Sequence, residues 1–348
     1  MRAVLCGYYG FGNGGDEALL AALLQMLPAG VEPLVMSADP VQTTRRFGTP
    51  SLNRWSMLEV SRAIARSDAF IWGGGSLLQD VTGPANILYY GGLMRLAQGM
   101  GKKTIAWSQG IGPLKRPWSR VFACRTLAGC TAVTVRDRGS AELLSDWGIP
   151  FDLNTDPVWA LAPAKGAFTG ELPEPWTAVV LRPHPELTSA RLGVVTDALA
   201  QFQQAVGGSV LLVPFQLPAD QALAHIVGER LPGPSTVVQL EDPRQLMGLF
   251  HSVRFTISMR LHGVLMAAAG GGSVWGLIYD PKVAQLLNQI DAPGETLVNL
   301  PGQPDALSQL WLAHYAGGTR LSQPQREAWV TRSQHNSEVL AQVLGTTY

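Results

Sequence analysis

The chain has 348 residues, no net charge, 46% hydrophobic residues and only 15% charged residues. This length suggests two domains of ordinary size, and the lack of a basic excess argues against nonspecific nucleic-acid binding. The three cysteines, Cys6, Cys124 and Cys130, lack the spacing of a disulfide framework or a zinc site. The first residues lack the apolar core of a signal peptide, and the longest apolar stretch (261–279) is interrupted by His262 and by glycines. We therefore predict a cytoplasmic protein.

The first half of the chain alternates short apolar runs with helical patterns. The runs predicted as strands are RAVLCGY (2–8), EPLVMSA (32–38), DAFIWGG (68–74), KTIAWSQ (103–109) and AVTVRD (132–137). The stretches predicted as helices lie near residues 15–27, 55–66, 85–100, 118–128 and 139–147. Such alternation is typical of βαβ units, which form a parallel sheet whose strand carboxyl ends share one edge.

A Pro- and Gly-rich stretch, 163–175, has no apolar periodicity and is predicted to be a linker. The alternation then restarts, with predicted strands at WTAVVLR (176–182), GSVLLVP (208–214), TVVQL (236–240), RFTIS (254–258) and SVWGLIY (273–279). The fold class predicted is α/β, with two Rossmann-like parallel-sheet domains, 1–162 and 176–320, that face a cleft. The last segment, 321–348, is predicted to be helical, and packing back on the N-terminal domain is one arrangement open to it.

The Gly-rich loop GYYGFGNGGDE (7–17) follows the first predicted strand and leads into a helix. Its glycine spacing matches G-x-G-x-x-G, but the acid expected at the end of the second strand is missing, since Asp39 comes late. A site for anions alone would not place Asp16 and a second acid in the first helical turn. Three interpretations stay open: a dinucleotide site, a capped helix with a tight entry, and a catalytic loop with Asp16 as acid or base.

Three more loops follow predicted strands of the first domain. The triple glycine of WGGGSLLQD, which includes Gly74 and Gly75, could present backbone N–H groups to a ligand or form a tight packing corner. In SQGIGP, the side chain of Gln109 could form a hydrogen bond with a hydroxyl of the acceptor substrate. In VRDRGS, Arg136 ends a strand, and an ion pair with Asp137 or another neighbour is the alternative to a ligand contact.

In the second domain, positive side chains follow two predicted strands. Arg182 and His184 come just after one strand, and SMRLHG places Ser258 as the predicted N-cap of a helix with Arg260 and His262 in its first turn. Positive charge at that position opposes the helix dipole by about 0.3–1 kcal/mol per residue, which an anion would offset. The pattern predicts a site for carboxylate and phosphate, with an exposed salt bridge as the alternative for a lone arginine.

The motifs GYYGFGNGGDEA, WGGGSLLQD, SQGIGP, VRDRGS, TDPVW and SMRLHG, in this order, resemble those of the polysaccharide pyruvyl transferases. The similarity runs from about residue 3 to about residue 290 and is strongest to the bacterial cell-wall branch, which serves surface polysaccharides and S-layer anchoring. The resemblance implies a glycosyltransferase-B-like fold, with the acceptor side in the first domain and the donor side in the second. It also implies transfer of a pyruvyl group from phosphoenolpyruvate to two sugar hydroxyls, as a cyclic ketal, with no metal or redox cofactor.

The resemblance also assigns roles to residues. The family's donor-site Arg-Leu-His matches Arg260, Leu261 and His262, and our own hypothesis for the mechanism makes His262 the general acid. The donor-binding set is completed by Arg182, a looser match, and by Arg136, whose role is open. Asp16 is the candidate base. The residues expected on the acceptor side, where glycines leave room for a sugar, are Gly12, Asn13, Gly14, Gly74, Gly75 and Gln109.

The acceptor expected from the resemblance is a lipid-linked oligosaccharide, which would bring the protein to the inner face of the membrane. The basic, aromatic stretch KRPWSRVFACR (115–125) suits such a membrane contact, with an ordinary surface helix as the alternative. Two other functions stay open. One is a nucleotide-sugar glycosyltransferase, in which Glu241 would bind the ribose, and the other is a non-catalytic anion-binding protein. The acceptor sugar and the oligomeric state are undetermined.

Overall fold

A computed structural model of the chain describes residues 1–81, 83–164 and 172–345. The central part of the predicted linker, 165–171, lies outside the described residues. The chain divides into two compact units. The segments of the first unit are Met1–Phe11, Asp16–Leu161 and Ala328–Tyr348, and those of the second are Gly12–Gly15 and Ala162–Glu327. The division therefore differs from the predicted one at Gly12–Gly15, and it places the end of the C-terminal helix with the first unit.

The first unit is built on a parallel sheet in which seven strands are described, in the order β3-β2-β1-β4-β5-β6-β7. These strands are β1 (Arg2–Cys6), β2 (Glu32–Ser37), β3 (Ser51–Asn53), β4 (Ala69–Trp72), β5 (Lys103–Gln109), β6 (Ala132–Val135) and β7 (Asp152–Leu153). The helices are α1 (Gly14–Met26), α2 (Pro40–Phe47), α3 (Met57–Ala65), α4 (Ala85–Gly99), α5 (Pro117–Ala128) and α6 (Arg138–Asp146). All four residues of the central strand β4 are buried, as expected for a sheet covered on both faces.

The second unit repeats this architecture with a parallel sheet in which six strands are described, in the order β10-β9-β8-β11-β12-β13. These strands are β8 (Trp176–Val180), β9 (Ser209–Leu212), β10 (Ser235–Val237), β11 (Phe255–Ser258), β12 (Ser273–Ile278) and β13 (Gly294–Thr296). The helices are α7 (Ser189–Val206), α8 (Ala219–Gly228), α9 (Pro243–Phe250), α10 (Leu261–Gly270), α11 (Pro281–Gln289) and α12 (Pro304–Gly317). The centre of the sheet, β8 and β11, is buried throughout, so both units have their own core.

The last helix, α13 (Gln323–Leu344), begins in the second unit and continues in the first. Within the first unit a buried asparagine, Asn336, connects this helix to the sheet. Its amide nitrogen donates to the carbonyl of Thr155 at 3.0 Å, its carbonyl accepts from the indole of Trp107 at 3.1 Å, and its side-chain oxygen accepts from Asn154 at 3.3 Å. Because these polar groups are buried, each hydrogen bond removes a desolvation cost and fixes where the helix lies. No helix in the described ranges is both long and apolar enough to cross a membrane.

Candidate active site

Two of the predicted donor residues, Arg182 and Arg260, follow neighbouring strands of the second sheet. Strands β8 and β11 are parallel, with Val180 paired to Ser258 at their ends. Each arginine lies two residues beyond that pair, so both stand at the same level of the carboxyl edge. Ligands of open α/β sheets bind at this edge, which makes the two arginines a plausible pair for one anionic ligand. The backbone N–H of Arg182 also contacts the sulfur of Met259 at 3.5 Å.

The side chain of Arg260 is paired with a buried carboxylate that the sequence analysis did not select. Asp220, in the first turn of α8, accepts from Nε of Arg260 at 2.8 Å and from Nη2 at 2.7 Å. Both residues are buried: 8% of the surface of Arg260 and 2% of the surface of Asp220 are exposed. The carboxylate of Asp220 therefore offsets the positive charge of Arg260 at the start of the helix, a role that we had assigned to a bound anion. The pair engages Nε and Nη2, so Nη1 is the guanidinium nitrogen that Asp220 leaves to other partners.

The start of α10 also differs from the prediction. The helix begins at Leu261, and Arg260 itself is the N-cap residue with an extended backbone (φ −91°, ψ 134°), whereas we had placed it in the first turn. Ser258 is the last residue of β11 rather than the N-cap. Its hydroxyl accepts from the N–H of Arg260 at 3.1 Å and donates to the carbonyl of Arg260 at 2.8 Å. This local ring fixes the turn from β11 into α10 and so sets the direction of Arg260 and His262.

Arg182 is held by a tyrosine from the end of β12. Its Nη1 donates to the hydroxyl of Tyr279 at 3.0 Å, and its guanidinium carbon lies 5.1 Å from the centre of the same ring. The imidazole of His184 also packs against the ring of Tyr279, with the two ring centroids 4.8 Å apart. An arginine held by both a π-face and a hydroxyl has few rotamers left, so its charge is preorganised. Tyr279 is a site residue that the sequence analysis missed, although its position just after a strand was the available signal.

The predicted acceptor loop, Gly12–Gly15, is part of the second unit. The N–H of Gly14 donates to the carbonyl of Phe215 at 2.7 Å, and Asn13 forms an isolated antiparallel bridge with Gln216. A Cβ on Gly15 would overlap the imidazole of His262. The predicted general acid therefore packs directly on the backbone of this loop, and a side chain at position 15 would displace its imidazole.

Within the loop, Gly12 has a positive φ of 68°, and a Cβ there would meet no described atom within 4 Å beyond its two chain neighbours. The side-chain oxygen of Asn13 accepts from the N–H of Gly15 at 3.1 Å, which caps the start of α1. Gly12 is therefore selected by backbone conformation, while Gly15 is selected by the space that His262 occupies. The roles predicted for Gly12, Asn13 and Gly14 in acceptor binding stay predictions.

The two acids at the start of α1 have different surroundings in the first unit. Glu17 is buried, accepts from the N–H of Gly10 at 2.8 Å and forms an ion pair with Arg46 at 3.6 Å, so its role is structural. Asp16 is partly exposed, and its Oδ1 would lie 3.6 Å from a Cβ on Gly75. The candidate base and one of the predicted acceptor glycines are therefore neighbours, as that assignment requires.

The triple glycine after β4 is a close-packed corner, which was one of the two interpretations of this loop. Side chains at Gly73 and Gly74 would overlap Tyr9 and Leu19, and Gly75 has a φ of 124°. Gln109 is fully buried. Its amide nitrogen donates to the carbonyls of Gly73 at 2.5 Å and Trp107 at 2.9 Å, so Gln109 supports the glycine corner, and its role in acceptor binding stays a prediction.

Arg136, the open member of the predicted donor set, forms a buried ion pair with Asp156. Asp156 also caps a short 3-10 helix (Pro157–Ala160) by accepting from the N–H of Val158 at 3.0 Å. Asp137, the partner we had suggested, instead caps α6 through the N–H of Ser140 at 2.8 Å. The pair of Arg136 with Asp156 explains this arginine structurally, and its assignment to the donor site stays a prediction.

Solved structures with the same fold include two proteins named as UDP-GlcNAc 2-epimerases and one named as a glycosyltransferase. A UDP-GlcNAc 2-epimerase from Methanocaldococcus jannaschii has a TM-score of 0.67 at 9% identity, covering 98% of this chain and 100% of that one. The Neisseria meningitidis UDP-GlcNAc 2-epimerase has a TM-score of 0.62 at 10% identity, covering 100% of both chains. A glycosyltransferase from Rickettsia africae ESF-5 has a TM-score of 0.59 at 13% identity, covering 99% of both chains. At such low identity these similarities show the fold, and they confirm the predicted glycosyltransferase-B-like class.

Comparison of the amino-acid sequence with models of protein families identifies the family. A family model, polysaccharide pyruvyl transferase, matches residues 13–281, which is well over half of the chain. The chain belongs to this family. The prediction made from the six motifs is thereby confirmed at family level, and the matched range includes Asp16, Arg182, Arg260 and His262. Comparison with curated proteins finds no significant match.

Proposed function

We propose that this polysaccharide pyruvyl transferase uses phosphoenolpyruvate as donor and forms a cyclic ketal on two hydroxyls of a cell-wall sugar. The observation that carries the proposal is the common register of Arg182 and Arg260 at the carboxyl edge of the second sheet, beside the first turn of α10 with His262. Phosphoenolpyruvate has a phosphate and a carboxylate on one small carbon frame. Two arginines at one level of an edge suit two anionic groups that are so close together.

In this proposal Arg182 binds one anionic group of the donor and Nη1 of Arg260 binds the other. The backbone N–H groups at the start of α10 add partial positive charge, as helix N-termini do for phosphates. Leu261, the first residue of this helix, provides one of these N–H groups. The pair with Asp220 offsets the charge of Arg260, so the contribution of Arg260 to the donor site is the Nη1 group, which the pair holds in one orientation. Donor binding would then depend on geometry that the carboxylate of Asp220 maintains.

The chemistry that we assign to His262 is protonation of the donor's methylene carbon. Its proton forms the new methyl C–H bond, and carbon 2 becomes electrophilic. A sugar hydroxyl attacks carbon 2 and gives its proton to a base, for which Asp16 is the candidate. The C–O bond to phosphate then breaks with its electron pair, which leaves carbon 2 as an oxocarbenium centre. A second hydroxyl attacks this carbon and gives its proton to the departing phosphate, which closes the ketal. The packing of the imidazole on Gly15 limits its rotation, which holds the donated proton in one direction.

For the acceptor we propose a lipid-linked oligosaccharide met at the membrane surface. The supporting feature is the exposed side of α5 and the residues before it, where Trp118 is 41% exposed and Val121 is 49% exposed. Lys115, Arg120 and Arg125 are exposed in the same stretch, as is typical of segments that rest on anionic lipid. Sedimentation with anionic and with neutral vesicles tests this part of the proposal, which predicts binding to the anionic vesicles only.

One experiment tests the donor and the acid together. The wild-type protein is incubated with phosphoenolpyruvate and a panel of lipid-linked disaccharides, and products are examined by mass spectrometry for one added pyruvyl ketal. Phosphate release is measured in parallel for the wild type and for His262→Ala. We expect His262→Ala to reduce phosphate release by roughly 10²–10⁴-fold, the usual contribution of a general acid. Near-normal release by His262→Ala would refute the assignment of the acid.

A nucleotide-sugar glycosyltransferase is the second candidate, because the structural relatives include proteins named for UDP-GlcNAc. Its predicted ribose ligand, Glu241, lies at an exposed position before α9. Thermal unfolding with phosphoenolpyruvate and with uridine diphosphate separates the candidates. A shift with phosphoenolpyruvate alone supports the pyruvyl transferase, and a shift with uridine diphosphate alone supports the alternative. Stabilisation by phosphoenolpyruvate without any product across the acceptor panel would instead favour the non-catalytic anion-binding protein.

A further inference from the structure

Four aromatic side chains of the first unit lie together, and three of them pack on one buried arginine. Tyr8 and Phe11 come from the loop after β1 and are stacked, with centroids 4.1 Å apart and planes 11° apart. Trp55 follows β3, and its ring makes an edge contact with Phe11 at 6.5 Å and a tilted contact with Tyr89 at 5.7 Å. We call Tyr8, Phe11, Trp55 and Tyr89 the aromatic platform. Its rings form one continuous series from the loop after β1 to helix α4.

Arg54 holds the platform from beneath. Its guanidinium carbon lies 5.1 Å from the Phe11 ring, 5.2 Å from the Trp55 ring and 4.9 Å from the Tyr89 ring. The guanidinium donates to the carbonyl of Gly7 at 2.7 Å and to the hydroxyl of Tyr90 at 3.0 Å, and only 2% of Arg54 is exposed. A cation fixed under three rings stabilises them in one arrangement, so the platform is rigid before any ligand arrives.

The platform nevertheless presents apolar surface to solvent. Trp55 is 59% exposed, and Tyr8, Phe11 and Tyr89 are partly exposed. Burying a tryptophan stabilises a protein strongly, so a rigidly held indole left in water is typical of a binding surface. Two of its segments directly follow the carboxyl ends of β1 and β3, the edge at which ligands of such sheets bind.

We propose that the aromatic platform binds a neutral sugar ring of the acceptor, with Trp55 as the principal stacking residue. The proposal rests on the function proposed above, because it identifies part of that acceptor site. One face of a sugar ring presents C–H groups of slight positive charge, which pack on the negative face of an indole. Its hydroxyls lie at the rim, where the exposed Asn53 and the hydroxyl of Tyr8 provide polar partners.

The charges near the platform favour a neutral occupant. The guanidinium of Arg54 lies behind the rings and repels a cation, so a trimethylammonium-type ligand does not fit. The carboxylate of Asp16 lies near enough to Tyr8 to affect its hydroxyl. Burial raises the pKa of Tyr8, the charge of Asp16 raises it further, and the charge of Arg54 opposes both. A sugar on the platform would thus lie near the candidate base, as the acceptor must.

Saturation-transfer difference NMR tests the platform without using the reaction. The probes are the methyl glycosides of galactose, mannose, N-acetylglucosamine and N-acetylmannosamine, with adenosine and choline for comparison. The proteins are the wild type, Trp55→Ala, Trp55→Phe and the control Leu58→Ala, which changes a 63% exposed apolar residue outside the platform. We expect ring C–H protons of at least one glycoside to receive saturation from the wild type. Trp55→Ala should weaken it about tenfold, while Trp55→Phe and Leu58→Ala retain most of it.

Three results would overturn the proposal. The first is that the wild type and Trp55→Ala saturate the glycosides equally. The second is that the wild type saturates no glycoside. The third is a Trp55-dependent signal that is strong only for adenosine or choline. The stabilisation of the same proteins by phosphoenolpyruvate, measured by thermal unfolding, reports on the proposed donor separately. A wild type that binds phosphoenolpyruvate but no glycoside would refute the platform alone. A platform that binds glycosides in a protein indifferent to phosphoenolpyruvate would refute the donor alone.

Discussion

Asp220 and Arg260 form a buried, two-point ion pair at the carboxyl edge of the second sheet, with contacts of 2.8 and 2.7 Å. The same carboxylate accepts from the backbone N–H of Gln216 at 3.0 Å. Asp220 therefore connects the loop after β9 to the residue that starts α10. This relationship makes the orientation of Arg260 a property of the folded sheet edge, which exists before any donor binds.

Removing Asp220 should be costly for stability. In Asp220→Ala the guanidinium of Arg260 stays buried without its carboxylate, and the free energy of unfolding should fall by about 3–5 kcal/mol. The matched control is Asp197→Ala, which breaks the exposed pair of Asp197 with Arg230 and should change stability by less than about 1 kcal/mol. Urea unfolding followed by circular dichroism measures both. Similar losses for the two variants would show that the buried pair has no special role.

Gly15→Ala should damage catalysis through His262. The added methyl group would overlap the imidazole, so the ring must move, and a displacement of about 1 Å can lower turnover about 100-fold. The control Gly193→Ala adds a methyl group near the start of α7, where a Cβ would meet no described atom within 4 Å apart from its own stretch of helix, and should be neutral or stabilising by roughly 0.5–1 kcal/mol. Turnover of phosphoenolpyruvate and melting temperature are measured for both. Normal turnover in Gly15→Ala would remove His262 from the reaction or show that its position is not critical.

The strong strands of both sheets could be predicted from sequence, because long apolar runs are typical of buried parallel strands. The short elements could not. Strands β3, β7 and β13 have only two or three residues, and α2 has eight, so their patterns are too brief to be distinguished from loops. The cap of α2 by Asp39 was visible in the sequence, yet we had considered this residue only as a cofactor ligand.

Within the site, positions after strands were predictable but partners were not. In a parallel sheet all strand carboxyl ends lie at one edge, so the topology alone places Arg182 and Arg260 there. The two arginines are close because β8 and β11 are neighbouring strands. The partners of these residues come from distant segments: Asp220 lies 40 residues from Arg260 and Tyr279 lies 97 residues from Arg182. Gln109 illustrates the same limit, since the sequence did not indicate that its amide would donate to the backbone carbonyls of Gly73 and Trp107. Periodicity does not indicate which side chains converge across such separations.

Tyr279→Phe should weaken donor binding while leaving the fold intact. The substitution keeps the ring beneath Arg182 but removes the hydroxyl that accepts from its Nη1, so the guanidinium becomes less well oriented. We expect the KM for phosphoenolpyruvate to rise about 3–10-fold, the equivalent of one ordinary hydrogen bond, with a smaller change in kcat. The control is Tyr315→Phe, whose ring packs on Arg254 at the opposite end of β11. An unchanged KM in Tyr279→Phe would mean that this tyrosine does not orient a donor residue.

His314 should make the second unit less stable in mild acid. This histidine is buried beside the rings of Phe255 and Trp275. Burial lowers the pKa of His314 below its ordinary value, a hydrogen bond with Val274 opposes the shift, and the charge of Arg320 adds to it. Since the folded pKa is below the unfolded one, the unfolded chain binds more protons as the pH falls through about 6.5. Stability should therefore decrease from pH 7.5 towards pH 5.5.

His314→Gln removes this titrating group and should reduce the dependence of melting temperature on pH over that interval. Some slope should remain from His251, whose pKa is also lowered by burial and by the charge of Arg326. The control His335→Gln changes an exposed histidine of α13 and should leave the slope as in the wild type. Calorimetry in a series of buffers of equal ionic strength measures the melting temperatures of both variants. If the two units melt separately, the transition of the second unit is the one compared. A wild-type slope in His314→Gln would contradict the prediction, because the proton uptake would then come from another group. An equal decrease of the slope in both variants would also contradict the prediction, because His314 is buried and His335 is exposed.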